Sequence, residues 1–204
     1  TVSASDGDTS ETLTYSLSGT DASSFSISSS GVITFDSAPD YETKTSYSVT
    51  VSVSDGVNTT TQALTINITN TNDAPTLTTA LVDQSNAEDA AFSFTVPAST
   101  FSDEDTGDTL TYAATLSDGS ALPSWLSFDA TTRTFTGTPL NANVGDITVK
   151  VTATDSSLSA SDTFTLTVTN TNDDPTEVSL SATAFDENDS GAVVGTLSTT
   201  DVDV

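Results

Sequence analysis

The chain of 204 residues carries 29 acidic residues against three basic ones, for a formal charge of -26 at pH 7, and it contains no Cys, His or Met. This balance excludes nucleic acid as a partner, because phosphate binding needs clustered Lys and Arg, and it also argues against docking on anionic membranes. The sequence has no ordinary zinc site or nucleophilic triad, and no apolar run that approaches the roughly 18 residues of a membrane-inserted helix.

Internal repeats divide the sequence into units of about 97–100 residues. The string TLTY occurs at 12–15 and 109–112, and TNTND occurs at 69–73 and 169–173. Paired acids recur in the same register, at Asp6/Asp8, Asp103/Asp105 and Asp201/Asp203. We therefore predict three parts: a domain at 1–72 that lacks its first strand, a complete domain at 73–172, and the opening strands of a third at 173–204.

Alternation of polar and apolar residues predicts β-strands in each unit. In chain order, the clearest strands are predicted at 46–55, 61–69, 146–155 and 162–170. Gly-, Asp- and Ser-rich segments between the members of each pair predict hairpin turns. No amphipathic helix is predicted. About seven short strands per hundred residues indicate an all-β fold of tandem Greek-key immunoglobulin-like sandwiches.

The only Trp, Trp125, lies in the segment LPSWLSFDATTRTF at 122–135. Because large rings commonly fill the space between two sheets, the surrounding Leu and Phe residues favour a core position. A sugar-stacking platform is the alternative for this residue.

Acidic and amide side chains recur in the loops once per unit, and they are candidates for binding a divalent cation. Calcium needs six to eight oxygen ligands, which several loops can supply together. The candidates are Asp6, Asp8, Asp40, Glu42, Asp55, Asn70, Asn72, Asp73, Asp103, Asp105 and Asp155. One acidic pair indicates little, but clusters that recur in register predict Ca²⁺ sites. Cations would also relieve the repulsion among the surplus carboxylates.

The first unit resembles a bacterial cadherin domain in the strings TLTYSL, PDYET, YSVTVSVSDG and NTNDAP. The second unit, with LPSWLSFD and FTGTP, is similar to the dystroglycan-type variant of the cadherin-like domain. The segment FDENDSGAVVGTL at 185–197 resembles the opening strands of a further cadherin repeat, with its E-N pair. Together these strings cover essentially the whole chain.

The resemblance implies calcium bound at the junctions between consecutive domains. For the first junction it implies the ligands Asp40, Glu42, Asn70, Asn72, Asp73, Asp103, Asp105 and Asp155. For the second it implies Glu88, Asn170, Asn172, Asp173, Asp201 and Asp203, and Glu187 is the matching early Glu of the third domain. Because TGTP stands where an acidic D-x-E motif would fall, the second junction is expected to bind fewer ions.

The expected function is a calcium-stabilised extender region of an extracellular or cell-surface adhesin or matrix protein, secreted and bacterial. Its expected partners are calcium, neighbouring repeats and other copies arranged head-to-tail. A carbohydrate- or partner-binding module is one alternative. A strand-exchanged filament is another, because the segment 176–204 resembles what the first unit lacks. Catalysis is not expected, because the paired carboxylates lie in Ser-, Asp- and Gly-rich loops without aromatic residues.

Overall fold

The computed structural model describes residues 1–5, 7, 12–181, 195–201 and 203. Among them, the only helical segments are two single 3-10 turns, Ala22–Ser24 and Asn141–Asn143, so the predicted all-β class is confirmed. No helix in this described part is long and apolar enough to cross a membrane.

Two compact units make up the chain. Unit 1 comprises Thr1–Asp73 together with Glu104–Thr106, and unit 2 comprises Ala74–Asp103 together with Gly107–Val204. The predicted domain boundaries after residues 72 and 172 stay predictions.

Unit 1 contains a three-stranded antiparallel sheet and a separate hairpin. Its strands are β1 (Thr14–Ser18), β2 (Phe25–Ile27), β3 (Ile33–Phe35), β4 (Ser46–Ser54) and β5 (Thr59–Asn67). The sheet has the order β1-β4-β5, and β2 pairs with β3. Val49 and Val51 of β4 are each 1% exposed. The alternation in this strand therefore buries one face, as predicted.

Unit 2 is a sandwich of two larger sheets with two short ladders. Its strands are β6 (Thr76–Leu77), β7 (Gln84–Ala87), β8 (Phe92–Thr95), β9 (Phe101–Ser102), β10 (Thr111–Leu116), β11 (Leu126–Asp129), β12 (Thr134–Gly137), β13 (Gly145–Thr154), β14 (Ser159–Thr169), β15 (Glu177–Leu180) and β16 (Leu197–Thr200). The sheets have the orders β10-β13-β14-β7 and β11-β12-β8, and β6 pairs with β9 and β15 with β16. All pairs are antiparallel except β7 with β14, which run parallel.

Aromatic residues fill the core of unit 2. Phe135 is fully buried, and its ring centroid lies 4.5 Å from that of Phe128, 5.5 Å from that of Phe164 and 6.3 Å from that of Phe94. Trp125 is half-buried and packs against the same cluster. This packing agrees with the core position that the sequence favours for Trp125.

The β4–β5 hairpin of unit 1 recurs as the β13–β14 hairpin of unit 2, with a shift of 100 residues. Ser54 pairs with Thr59 at the end of the β4–β5 ladder, and Thr154 pairs with Ser159 at the end of the β13–β14 ladder. Burial nevertheless differs between the equivalent strands. Phe164, Leu166 and Val168 of unit 2 are at most 2% exposed, whereas their counterparts Leu64, Ile66 and Ile68 are only half-buried. In unit 2 the strand β7 pairs with β14, but the described part of unit 1 has no strand at the outer edge of β5.

Candidate metal centres

The antiparallel pairing of β4 and β5 brings acidic loops together in unit 1. Just beyond the ladder, the Ile68 N–H donates to the Thr45 carbonyl at 2.8 Å. The turn 40–43 before β4 and the segment 69–73 after β5, here called the first TNTND segment, therefore lie at the same end of the sheet.

Asp40 stabilises the turn that presents Glu42. Its Oδ1 accepts the Glu42 N–H at 2.9 Å and the Thr43 N–H at 3.2 Å, and its Oδ2 accepts the Thr43 hydroxyl at 2.6 Å. The hydroxyl bond is the main reason that the pKa of Asp40 lies below its ordinary value, with the backbone bonds contributing. This carboxylate therefore shapes the turn while Glu42 extends from it.

Three carboxylates of unit 1 converge. Oxygens of Glu42, Asp73 and Asp105 all lie within 4.8 Å of one another. Two ligands at about 2.3–2.6 Å from one calcium ion are at most about 5 Å apart, so this spacing fits a single shared ion. A cavity of 300 Å³ beside the group is lined in part by Asp40, Glu42, Asp73 and Glu104.

Hydrogen bonds from the first TNTND segment hold Asp105. Asn70 Nδ2 donates to Oδ1 at 2.7 Å, and the Asp73 N–H donates to Oδ2 at 2.7 Å. Asp105 is 7% exposed. A carboxylate this buried needs such donors, because desolvation disfavours its charge.

In unit 2, the parallel pairing of β7 with β14 positions Glu88. The Glu88 N–H donates to the Thr169 carbonyl at 3.0 Å, which places this residue where the second TNTND segment, 169–173, leaves β14. The side chain is 2% exposed, and its Oε1 accepts the Thr171 N–H at 2.8 Å. Its Oε2 is buried and has no hydrogen-bond partner among the described residues. Burying a carboxylate costs several kcal/mol unless its charge is compensated, so this oxygen calls for a cation.

Two further acids complete this group. Oxygens of Glu88, Asp89 and Asp173 all lie within 4.8 Å of one another. Asp89 was not among the predicted ligands; it follows Glu88 in the turn after β7. Its φ of 56° turns the chain sharply after Glu88, in a left-handed conformation that Asp tolerates. The only signal in the sequence was its position next to Glu88.

The second TNTND segment repeats the bonds of the first. Asp203 accepts Asn170 Nδ2 at 3.2 Å through Oδ1 and the Asp173 N–H through Oδ2. In both segments the second Asn donates to the carbonyl of the following Asp, at 2.9 Å from Asn72 and at 3.0 Å from Asn172. The sequence repeat is therefore also a repeat of hydrogen bonds.

The remaining predicted ligands belong to neither of these two groups. Asp55 and Asp155 cap hairpin turns: Asp55 Oδ1 accepts the N–H groups of Val57 and Asn58, and Asp155 Oδ1 accepts those of the three residues that follow it. Asp103 is half-buried directly after β9, and Asp201 Oδ1 accepts the Asp203 N–H at 3.0 Å. Three predicted ligands lie outside the described residues: Asp6, Asp8 and Glu187.

Both groups hold negative charge that is poorly compensated. Burial raises the pKa of Glu42 above its ordinary value of 4.5, and nearby Asp105, Asp73 and Asp40 raise it further. Burial likewise raises the pKa of Asp173 above 3.8, with added repulsion from Asp203, Asp89, Glu88 and Asp201. Each group therefore favours a bound positive charge.

In a chelator, the stability of the folded chain is expected to rise as the pH falls from about 7 towards about 5. Glu42 and Asp173 bind a proton more tightly when folded, so their charged forms oppose folding until the pH falls through the raised pKa values. Below pH 3.8, the ordinary pKa of Asp, the stability is expected to fall instead. The hydrogen bonds of the turn lower the pKa of Asp40, so protonation of Asp40 removes the stability that these bonds contribute. Thermal melts at a series of pH values check this. A melting temperature that falls steadily between pH 7 and 5 would contradict it.

Known proteins share this fold. A family model described as "Putative Ig domain" (He_PIG) matches residues 74–169. Human Protocadherin-24 EC1-2 is similar in structure with a TM-score of 0.57 and 21% identity, over 79% of this chain and 84% of that one. The fold is cadherin-like.

Two further cadherin structures agree with this fold. The extracellular cadherin domains 1-4 of Protocadherin Gamma B7 match with a TM-score of 0.58 and 24% identity, over 93% of this chain and 50% of that one. Mouse Cadherin-23 EC22-24 matches with a TM-score of 0.51 and 20% identity, over 78% of this chain and 53% of that one. No curated protein matches the sequence. The cadherin-like chain thus spans about half of these two longer structures.

Proposed function

We propose that the chain is a calcium-stabilised extender region of an extracellular or cell-surface adhesin or matrix protein, of the bacterial kind that its sequence resembles. The observation that carries this proposal is the buried Oε2 of Glu88, which has no hydrogen-bond partner among the described residues and lies beside Asp89 and Asp173. A buried carboxylate oxygen without a compensating partner lowers the stability of the fold. A bound cation would remove that cost.

The donor set fits calcium. Every ligand atom in the two groups is a carboxylate oxygen, and hard cations such as Ca²⁺ prefer oxygen ligands. The absence of His and Cys from the sequence removes the ligands that favour zinc or copper. Backbone carbonyls and water would supply the remaining positions.

Bound calcium would supply the positive charge that makes mutually repelling carboxylates into shared ligands. In unit 1, Glu42 comes from a turn before β4, Asp73 from the first TNTND segment, and Asp105 from the segment Glu104–Thr106. Each lies on a separate stretch of chain. One cation held by all three would fix these stretches to one another and stiffen the chain at each repeat.

An extender agrees better with the structure than a binding module or an enzyme. Trp125, the candidate sugar platform, packs against the core of unit 2. The paired acids are engaged in turns and in the two acidic groups. We therefore propose no catalytic role and no carbohydrate site.

Calorimetric titration of calcium into the full chain tests the proposal. We expect the wild type to bind at least one ion per acidic group. Asp105→Ala should lose more bound ions than Asp203→Ala. The reason is that the turn 40–43 before β4 supplies Asp40 and Glu42 in unit 1, whereas the equivalent segment before β13 in unit 2 contains no acidic residue. Equal losses would contradict the predicted difference between the sites, and absence of binding to the wild type would contradict the function.

A second function, subunit of a strand-exchanged filament, is favoured by the uncovered face of unit 1. Leu64, Ile66 and Ile68 are half-buried, whereas their counterparts in unit 2 are buried, and β5 has no paired strand at its outer edge in the described part of unit 1. A groove of 420 Å³ beside β4 and β5 is lined in part by Val51 and Val53. We propose that the segment 176–204 of a second copy packs into the incomplete first unit. Within one chain, β15 pairs with β16 and leaves Val178 72% exposed and Leu180 40% exposed, while Phe185 lies outside the described residues.

Sedimentation at increasing protein concentration, with calcium present, tests this exchange. We expect the wild type to form a ladder of oligomers, because a head-to-tail contact does not close. Ile66→Glu should abolish the oligomers, whereas Val57→Glu, in the exposed β4–β5 turn, should retain them. A wild type that stays monomeric would contradict the exchange.

A further inference from the structure

We propose that Asn70 and Asn170 are positioning residues that hold the carboxylates of Asp105 and Asp203 in place when no ion is bound. This inference rests on the proposed calcium-binding function and adds to it. It assigns to the two asparagines a role as hydrogen-bond donors, where the sequence indicated only that they could be ligands.

The geometry of unit 1 shows the arrangement. Asp105 receives the Asn70 amide on Oδ1 and the Asp73 N–H on Oδ2, both at 2.7 Å. Both oxygens are thus held by donors from the first TNTND segment. Distances of this kind are typical of charge-assisted bonds, which are about twice as strong as neutral ones.

The same arrangement occurs in unit 2, on a different part of the chain. Asn170 Nδ2 donates to Asp203 Oδ1 at 3.2 Å, and the Asp173 N–H donates to Asp203 Oδ2. Asn141 Nδ2 in turn donates to Asn170 Oδ1 at 3.4 Å, which orients the Asn170 amide. Two independent occurrences show that this clamp belongs to the repeat.

An amide suits this position because it donates a hydrogen bond without adding charge. Glu42, Asp73 and Asp105 already place three carboxylates within 4.8 Å of one another. Each carboxylate oxygen has two lone pairs, so Asp105 can accept the Asn70 amide and still bind an ion. The clamp therefore pre-forms the site in the calcium-free chain and keeps the TNTND segment ordered.

If Asn70 has this role, the substitution Asn70→Asp should destabilise the chain without calcium but strengthen calcium binding. Asn70→Asp replaces the donor with a fourth carboxylate. In a chelator, it should lower the melting temperature of unit 1 by about 5–10 °C. With calcium it should increase the affinity on the order of tenfold, because an added ligand charge tightens a calcium site. A purely structural residue would weaken the chain under both conditions.

The experiment compares the full-length wild type with Asn70→Asp in chelator and in calcium. Amide hydrogen exchange is followed at the Asp73 N–H, which is expected to exchange at least about tenfold faster in the variant in chelator. Calorimetry measures the calcium affinity. Asn58→Asp is the matched control: Asn58 Nδ2 donates to Asp55 at 3.3 Å in the β4–β5 turn, so the charge change is the same but lies away from the acidic group. The control should leave both the calcium affinity and the Asp73 exchange rate unchanged.

The outcomes separate the clamp from the proposed function. Faster Asp73 exchange in chelator together with tighter calcium binding supports the clamp. If calcium binds the wild type but Asp73 exchange in chelator is the same in Asn70→Asp, the clamp is wrong and the function stands. If neither protein binds calcium but Asp73 exchange still accelerates, the hydrogen-bond clamp is real and the proposed function is wrong.

Discussion

Calcium is expected to raise the melting temperature of the chain by roughly 10–20 °C over the same protein in chelator. A ligand at one hundred times its dissociation constant adds about 2.7 kcal/mol per site to the free energy of unfolding. For domains of this size, 1 kcal/mol corresponds to about 4–8 °C. The two acidic groups keep their repulsion in the folded chain when calcium is removed, so the effect should occur in both units.

Calorimetric melts in chelator, calcium and magnesium measure this effect, with sodium chloride at matched ionic strength as the control for screening. Screening acts on all 29 acidic residues, whereas a bound ion acts only where ligands converge. We expect calcium to exceed sodium chloride by a wide margin, and small-angle scattering to report a less flexible chain in calcium. An equal rise in sodium chloride would show that the acidic groups are not binding sites.

Glu88→Gln is expected to reduce calcium affinity in unit 2 by more than about a hundredfold, since it removes a buried ligand charge. The substitution keeps the size of the side chain and an oxygen that can accept the Thr171 N–H. In chelator, the variant should melt no lower than the wild type, because the uncompensated buried charge is gone.

Calcium titrations and melts of Glu177→Gln provide the matched comparison for this variant. Glu177 lies in the exposed strand β15 of unit 2, so its substitution makes the same charge change away from the acidic group. Its calcium affinity should equal that of the wild type. Full calcium affinity in Glu88→Gln, or an equal loss in Glu177→Gln, would remove Glu88 from the proposed site.

The strands were predictable wherever local pattern decides the structure. Alternation at 46–55 and 146–155 corresponds to β4 and β13, and the turn residues that follow them set the hairpin registers. The parallel pairing of β7 with β14 was not predictable in this way. Residues Gln84–Ala87 are neither apolar nor alternating, and only their bonds to the end of β14 make them a strand.

The candidate site was predictable in its residue types but not in its detailed arrangement. The repeated TNTND segments and acid pairs pointed to Asp73, Asp105 and Asp173. Spacing alone could not show that Glu88 is buried with an unpartnered oxygen, because burial follows from the β7–β14 pairing. Nor could it separate Asp55, which caps a turn, from Asp105, which joins an acidic group.

The most direct test of calcium binding is a crystal structure of the chain grown with calcium, with anomalous scattering used to locate the ions. The proposal predicts an ion within about 2.3–2.6 Å of Glu88 Oε2 and of an Asp173 oxygen, and a second bound by Glu42, Asp73 and Asp105. Water or a side-chain donor on Glu88 Oε2, with no anomalous signal at either acidic group, would contradict the account.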